Sequence, residues 1–361
     1  MSLAVKHLNA DTTFLLTFSP NNASAAEDSS GSYTILLDPW LSGHSSLWNP
    51  RFQISHHTIP SCVESLADIF LPDAILISQV KPDHCHRETL CSLPRNTPVT
   101  IYAVPDAAKM IKSWRYFQTA KIVTLAPYSK QKPQSVQRVF LKSEIQGGDA
   151  GEITISHVPE KGDITGLHNA LAITYRPPGT AGKQSGQKSG SADGLSVTPV
   201  DSGHASPEPL RTPEPRSDPK SSDSQIISII YTPHGIKPAT IAPYINNHLR
   251  PINAFPLTAL FHGLNIEQNP WLLGGQVARG LPSGITLAKD IGARYWVIAH
   301  DELKINEGWS TLWLKSKQHS LADAQAVLDQ ELDQDKTGVE KTRDKVKTKM
   351  IELDVGEEFK I

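Results

Sequence analysis

The chain has 361 residues, 39% of them hydrophobic, and a formal net charge of −2. That balance excludes the clustered basic excess of a nucleic-acid surface, and no apolar run approaches the length needed to cross a bilayer. Three cysteines without zinc-finger spacing (Cys62, Cys85, Cys91) exclude a disulfide framework and, with no secretory leader after Met1, point to a cytoplasmic protein.

The β-rich run at 12–18 predicts a strand, and 33–37 predicts a second, stopped by Asp38-Pro39. A helix is expected over 62–70 and a buried strand over 74–78. Strands follow at 99–103, 121–125, 152–158 and 171–175. Helical spacing of Ala108, Ile111 and Trp114 marks 105–117. From 177 to 225 the chain is Gly, Ser, Pro and charge with almost no large apolar residue, too little to offset ordering entropy. This segment reads as a disordered insertion between neighbouring strands at 171–175 and 226–231, so 1–176 and 226–335 are two halves of one domain. The second half continues with a strand at 259–261 ending at His262-Gly263, a helix over 283–291 and a strand at 295–299 ending at His300-Asp301. An amphipathic helix over 320–334 has Ser320 as N-cap and Leu321, Ala324, Leu328 and Leu332 on one face. A charged loop fills 336–349 and a last strand falls within 350–361. Strands and helices alternating in both halves predict a layered α/β domain.

Polar residues cluster where these strands end. Asp38, the run Ser78-Gln79-Val80-Lys81-Pro82-Asp83-His84, His168, Thr232-Pro233-His234-Gly235 and His300-Asp301 all lie at strand boundaries. Rigid α/β scaffolds hold functional groups in such loops. Imidazole, carboxylate and carboxamide groups converging there suit a divalent ion such as Zn²⁺.

This order of motifs resembles the metallo-β-lactamase superfamily, in its lactonase-like branch. The resemblance rests on Leu37-Asp38-Pro39-Trp40, the 78–84 run, the lone His168, and the later His234 and His300. It implies a four-layer αββα sandwich and a metal-dependent hydrolase. The superfamily's second motif reads Thr-His-x-His-x-Asp-His, and here its first two histidines are replaced by Gln79 and Lys81. The first metal position is thereby lost, leaving His168 almost alone. The second keeps Asp83, His84 and His300, with His234 standing where a bridging Asp is usual. The same changes resemble a subfamily with Ser-Gln before Asp-His and Pro-His-Gly after the later strand.

The expectation is therefore one ion, zinc before iron or manganese, on Asp83, His84, His234 and His300. Lys81 is expected to offer positive charge from the empty first position, acting with Asp83 in catalysis. Asp38, Gln79, His168, His262 and Asp301 are expected in the surrounding shell or cleft. The substrate implied by the resemblance is a small ester, lactone or phosphoester. The competing expectation is a binding or regulatory protein on a degenerate fold. Nothing points to a nucleic-acid or membrane partner, and the oligomeric state is left open.

Overall fold

The computed structural model describes residues 1–20, 31–143, 147–179, 226–334 and 346–361. Two seven-stranded sheets form its centre. The first is ordered Glu358–Lys360, Ser2–His7, Phe14–Ser19, Tyr33–Leu37, Ala74–Ile77, Thr100–Ala103 and Lys121–Thr124. The second runs Lys349–Ile351, Tyr295–Ile298, Ala259–His262, Ile227–Tyr231, Asn169–Arg176, Gly151–Pro159 and Val136–Leu141. In each, one flank is antiparallel and the other a block of four parallel strands.

Burial explains the pairing. Ser2–His7 and Phe14–Ser19 alternate inward and outward, sending Leu3, Val5, Phe14, Leu16 and Phe18 into the core. The central strands Ala74–Ile77 and Ile227–Tyr231 are buried throughout, as strands covered on both faces must be. Leu16, Ile35 and Ile75 of the first sheet share one apolar cluster with Ile173, Ile229 and Phe261 of the second, so the sheets pack face to face. On the second sheet's outer face, Ile230, Leu260 and Trp296 meet Ile241, Leu287, Ala288 and Leu328 of the helices Pro238–Tyr244, Gly280–Ile291 and Leu321–Gln334. Pro105–Ser113 lies against the far strands of the first sheet and buries Ala107, Ala108 and Ile111. The layers are helix, sheet, sheet, helix, the αββα order that the sequence resemblance implies.

Some expected elements differ. Residues 62–70 form only the 3₁₀ turn Leu66–Asp68, because Ser65 and Asp68 cap each other's backbone around a single turn. Pro60 and Pro72 bound this stretch, and one isolated turn cannot offset helix nucleation. The last strand is two, Lys349–Ile351 in the second sheet and Glu358–Lys360 in the first. Ser2–His7 and Val136–Leu141 are further strands the sequence did not declare, and Pro238–Tyr244 a further helix. Asn169–Arg176 and Ile227–Tyr231 pair antiparallel. Most of the 177–225 segment expected between them, and much of the charged loop, lie outside the described residues. The Ser320 hydroxyl accepts from Asp323 N–H at 3.1 Å at the start of its helix.

One contact sets the helix-to-sheet distance near the site. A Cβ on Gly284 would lie 2.1 Å from the Trp296 ring, and the Trp296 indole donates to the His262 carbonyl at 2.8 Å. Gly284→Ala is therefore expected to lower unfolding free energy by about 1–3 kcal/mol, the usual cost of overpacking. Urea denaturation with an unchanged m-value would show it; an unaltered midpoint would mean that the ring moves freely.

Candidate metal centre

The parallel strands of both sheets end at one edge of the sandwich, and the loops there carry the polar residues. Tyr33–Leu37 delivers Asp38, Ala74–Ile77 delivers 78–84, Ile227–Tyr231 delivers His234 and Tyr295–Ile298 delivers His300. The turn between Ser2–His7 and Phe14–Ser19 joins them, since Phe14 pairs with Leu37. Asp38 and His300 leave their strands with positive φ, 37° and 71°. Asp and His tolerate that region better than most residues, and such strain concentrates at functional sites.

Three imidazoles meet here. The rings of His84, His234 and His300 lie 4.5–5.2 Å apart, centroid to centroid, and one nitrogen of each lies within 4.8 Å of the others. The opposite nitrogens are tied off. His84 Nδ1 donates to Asp38 Oδ2 at 2.8 Å, His300 Nδ1 to Asp11 Oδ1 at 2.7 Å, and His234 Nδ1 to the Val277 carbonyl at 3.0 Å. Carboxylates and carbonyls only accept, so each Nδ1 carries its proton and each Nε2 is left for a ligand. Histidines that hold metals are oriented in this way. His84 and His234 bring their Nε2 atoms to 3.1 Å, close to the roughly 3.4 Å expected of two nitrogens on one tetrahedral zinc. Asp83 supplies a carboxylate 4.0 Å from His84 Nε2 and is 22% exposed, which keeps one side open to solvent.

Electrostatics follow the burial. Burial opposes charge on His84, but Asp83 and Asp38 outweigh it and raise its pKa. Burial, with His300 and His84 beside it, holds His234 well below the ordinary value. Burial opposes charge on Asp11 and on the partly exposed Asp83, yet His300 and Lys304 beside Asp11, and His84 and Lys304 beside Asp83, keep both below the usual carboxylate range.

Asp38 is the orienting residue beneath His84. It also accepts from Ser78 N–H at 2.7 Å, the Ser78 hydroxyl, and Tyr231 O–H at 2.8 Å. Two groups not singled out from sequence complete the site. Asp11 is held in its turn by Asn9, whose Oδ1 accepts from Asp11 and Thr13 N–H. Lys304 lies 2.9 Å from Asp11 Oδ2 and 3.5 Å from Asp83 Oδ2. Their one sequence signal is turn chemistry, an Asn-x-Asp-Thr-Thr stretch between two strands.

The remaining expected residues take other places. Lys81 closes the turn with its carbonyl, accepting from His84 and Cys85 N–H at 2.9 and 2.7 Å, and its ammonium has no ion pair among the described residues. The ammonium that pairs with the carboxylates is that of Lys304. Gln79 is buried and donates to the Leu167 carbonyl at 3.1 Å. His168 sets its two ring nitrogens against the Gly235 and Gln276 carbonyls, at 3.0 and 3.1 Å, bracing the segments that carry and orient His234. His262 points to the helix side, against Trp296, and burial holds its pKa down at about 4. Asp301 receives Leu264 and Asn265 N–H and shapes the loop after His262; burial raises its pKa to about 6. No helix among the described residues is long and apolar enough to cross a membrane.

No protein family and no curated protein matches the sequence. Solved structures resemble it weakly. Igni18, a metallo hydrolase from Ignicoccus hospitalis, shares 8% identity at TM-score 0.46, covering 100% of this chain and 99% of that one. An isothiocyanate hydrolase from Delia radicum gut bacteria shares 11% at TM-score 0.48, with coverage of 99% and 98%. A possible metal-dependent hydrolase from Veillonella parvula shares 10% at TM-score 0.48, with 99% of each covered.

The His234 segment hangs on one ion-pair cluster. Glu160 takes Arg279 in a fork at 2.6 and 2.8 Å and Lys237 at 2.7 Å, while Arg279 N–H donates to the His234 carbonyl. Burial opposes the Glu160 charge, but these bonds bring its pKa down to about 2. A depressed carboxylate stabilises the fold above its unfolded pKa and loses that contribution as pH falls through the folded one. Glu160→Gln should therefore cost about 2 kcal/mol near neutrality, and the gap to wild type should shrink between roughly pH 4.5 and 2. Denaturation across that range checks it; a constant gap would assign the loss to packing.

Proposed function

We propose that this chain is a metal-dependent hydrolase with a mononuclear centre built from His84, His234, His300 and Asp83, and that zinc is the fitting ion. The observation that carries this reading is the set of three imidazoles, each with Nδ1 tied off and Nε2 turned inward. Three neutral imidazoles and one carboxylate form a donor set suited to zinc. When bound, such an ion supplies Lewis acidity toward a carbonyl or phosphoryl oxygen. The residues supply orientation. Asp38 fixes the tautomer of His84, Asp11 that of His300, and the partly exposed Asp83 stands where a small substrate would enter. The resemblance noted in the sequence supports an ester, lactone or phosphoester substrate.

Zinc titration of the metal-stripped protein, followed by native mass spectrometry, should give one ion per chain. His84→Ala should abolish both zinc binding and turnover in a broad esterase, lactonase and phosphodiesterase screen, with circular dichroism unchanged. His168→Ala should still load zinc, because both its ring nitrogens face carbonyls. A folded wild-type chain that takes up no zinc would reject the proposal.

The orienting carboxylate gives a separate expectation. Asp38→Asn keeps size but weakens the acceptor beneath His84, so zinc affinity should fall about 10–100-fold. Competition with a chromogenic chelator measures this, and an affinity equal to wild type would remove Asp38 from the metal-orienting role.

A further inference from the structure

The carboxylates of Asp11 and Asp83 and a nitrogen of His300 form a second grouping, with ligand atoms within 4.8 Å of one another. It shares Asp83 and His300 with the first. Because His300 Nδ1 donates to Asp11 and its Nε2 belongs to the first set, a second divalent ion here would be held by the Asp11 and Asp83 carboxylates, with Asp83 shared between the two ions. A cation already belongs to this grouping. The Lys304 ammonium lies 2.9 Å from Asp11 Oδ2 and 3.5 Å from Asp83 Oδ2, on a side chain only 12% exposed. An ammonium has three donors and no lone pair, so Lys304 acts here as a counter-ion and not as a ligand.

The charge count points the same way. Among the described residues, the charged groups that touch the three imidazoles or one another are Asp11, Asp38, Asp83 and Lys304. With the imidazoles neutral, three carboxylates against one ammonium leave two negative charges, which one divalent ion cancels. A second divalent ion would overshoot by two beside the ammonium, and to take the ammonium's place it would have to displace a cation held by both carboxylates. With Lys304 neutralised, the buried Asp11 and the partly exposed Asp83 would lose their shared counter-ion, a costly state for Asp11 that a cation relieves.

We propose that Lys304 is a built-in cation standing in for a second metal ion, and that it holds the centre to a single divalent ion. Lys304 also supplies the fixed positive charge beside the open side of Asp83. This inference rests on the metal-binding reading above.

The test is zinc stoichiometry by native mass spectrometry on the full-length chain. Wild type should bind one zinc ion per chain and stay at one with excess zinc. Lys304→Ala should bind two. Adding Asp11→Asn to Lys304→Ala should return the count to one, because the second ion needs the Asp11 carboxylate. Lys304→Arg, which keeps the charge, should stay at one. Should the alanine variant fail to fold by circular dichroism, Lys304→Gln retains more of the stem and carries the same expectation of two. Folded neutral variants that stay at one while wild type binds one would overturn the Lys304 inference alone. Wild type binding two would also overturn it. Wild type binding none would sink the metal reading and this inference together.

Discussion

Two buried carboxylates on the first sheet each take hydrogen bonds from the second. Asp38 takes part of its hydrogen bonding from Ser78 next door, but Tyr231 O–H reaches it from the opposite sheet. Asp11 is held by His300 and Lys304, both beyond the end of Tyr295–Ile298. A carboxylate taken out of water costs several kcal/mol unless its oxygens are well paired. Among the described residues, both side-chain donors to the Asp11 carboxylate come from beyond the second sheet's strand, so bringing the sheets together in one register is also what satisfies it. His84 and His300 are thus oriented by contacts the fold requires in any case, and the site is a by-product of closing the sandwich correctly.

The segment from His300 to Lys304 shows how this constraint is distributed. Four of its five side chains anchor to different parts of the chain. His300 goes to Asp11, Asp301 to the backbone of Leu264 and Asn265, Glu302 to His57 at 2.5 Å and to Thr58 N–H, and Lys304 to Asp11 and Asp83. The fifth, Leu303, is exposed. His300 needs its positive φ to start this path, and such a conformation costs about 1–3 kcal/mol. It persists because the anchors that follow over-determine it. Asp38, with φ of 37°, is held in the same manner by four donors around its carboxylate.

How much of this was legible depends on whether a residue's role is local. Asp38, Asp83-His84, His234 and His300 each follow a short buried apolar run, so the strand pattern alone places them at one edge of an α/β sheet. The αββα layering was legible for the same reason, from periodicity and alternation. Asp11 and Lys304 were not legible. One is a turn residue and the other lies in a charged stretch, and their link spans 293 positions of sequence. No local pattern encodes a contact of that separation. The 62–70 helix failed through local physics instead, where mutual capping by Ser65 and Asp68 won over apolar spacing.

Lys81 and Lys304 show why a motif position is weaker evidence than a direction. Aligned to the resemblance, Lys81 stands where a ligand histidine would be, and its charge invites a role at the centre. Yet a motif fixes where the backbone passes, not where a side chain points. At Lys81 the backbone carbonyl is committed to two N–H donors, so the residue is tied to the turn that presents Asp83 and His84. Lysine offers no lone pair while protonated, which bars it from ligation at either position. That same property suits it to neutralise carboxylates, provided that it approaches them. Lys304 does so from the second sheet, at 2.9 Å from Asp11. What separates the two lysines is therefore not their chemistry but the contacts each makes in the closed sandwich.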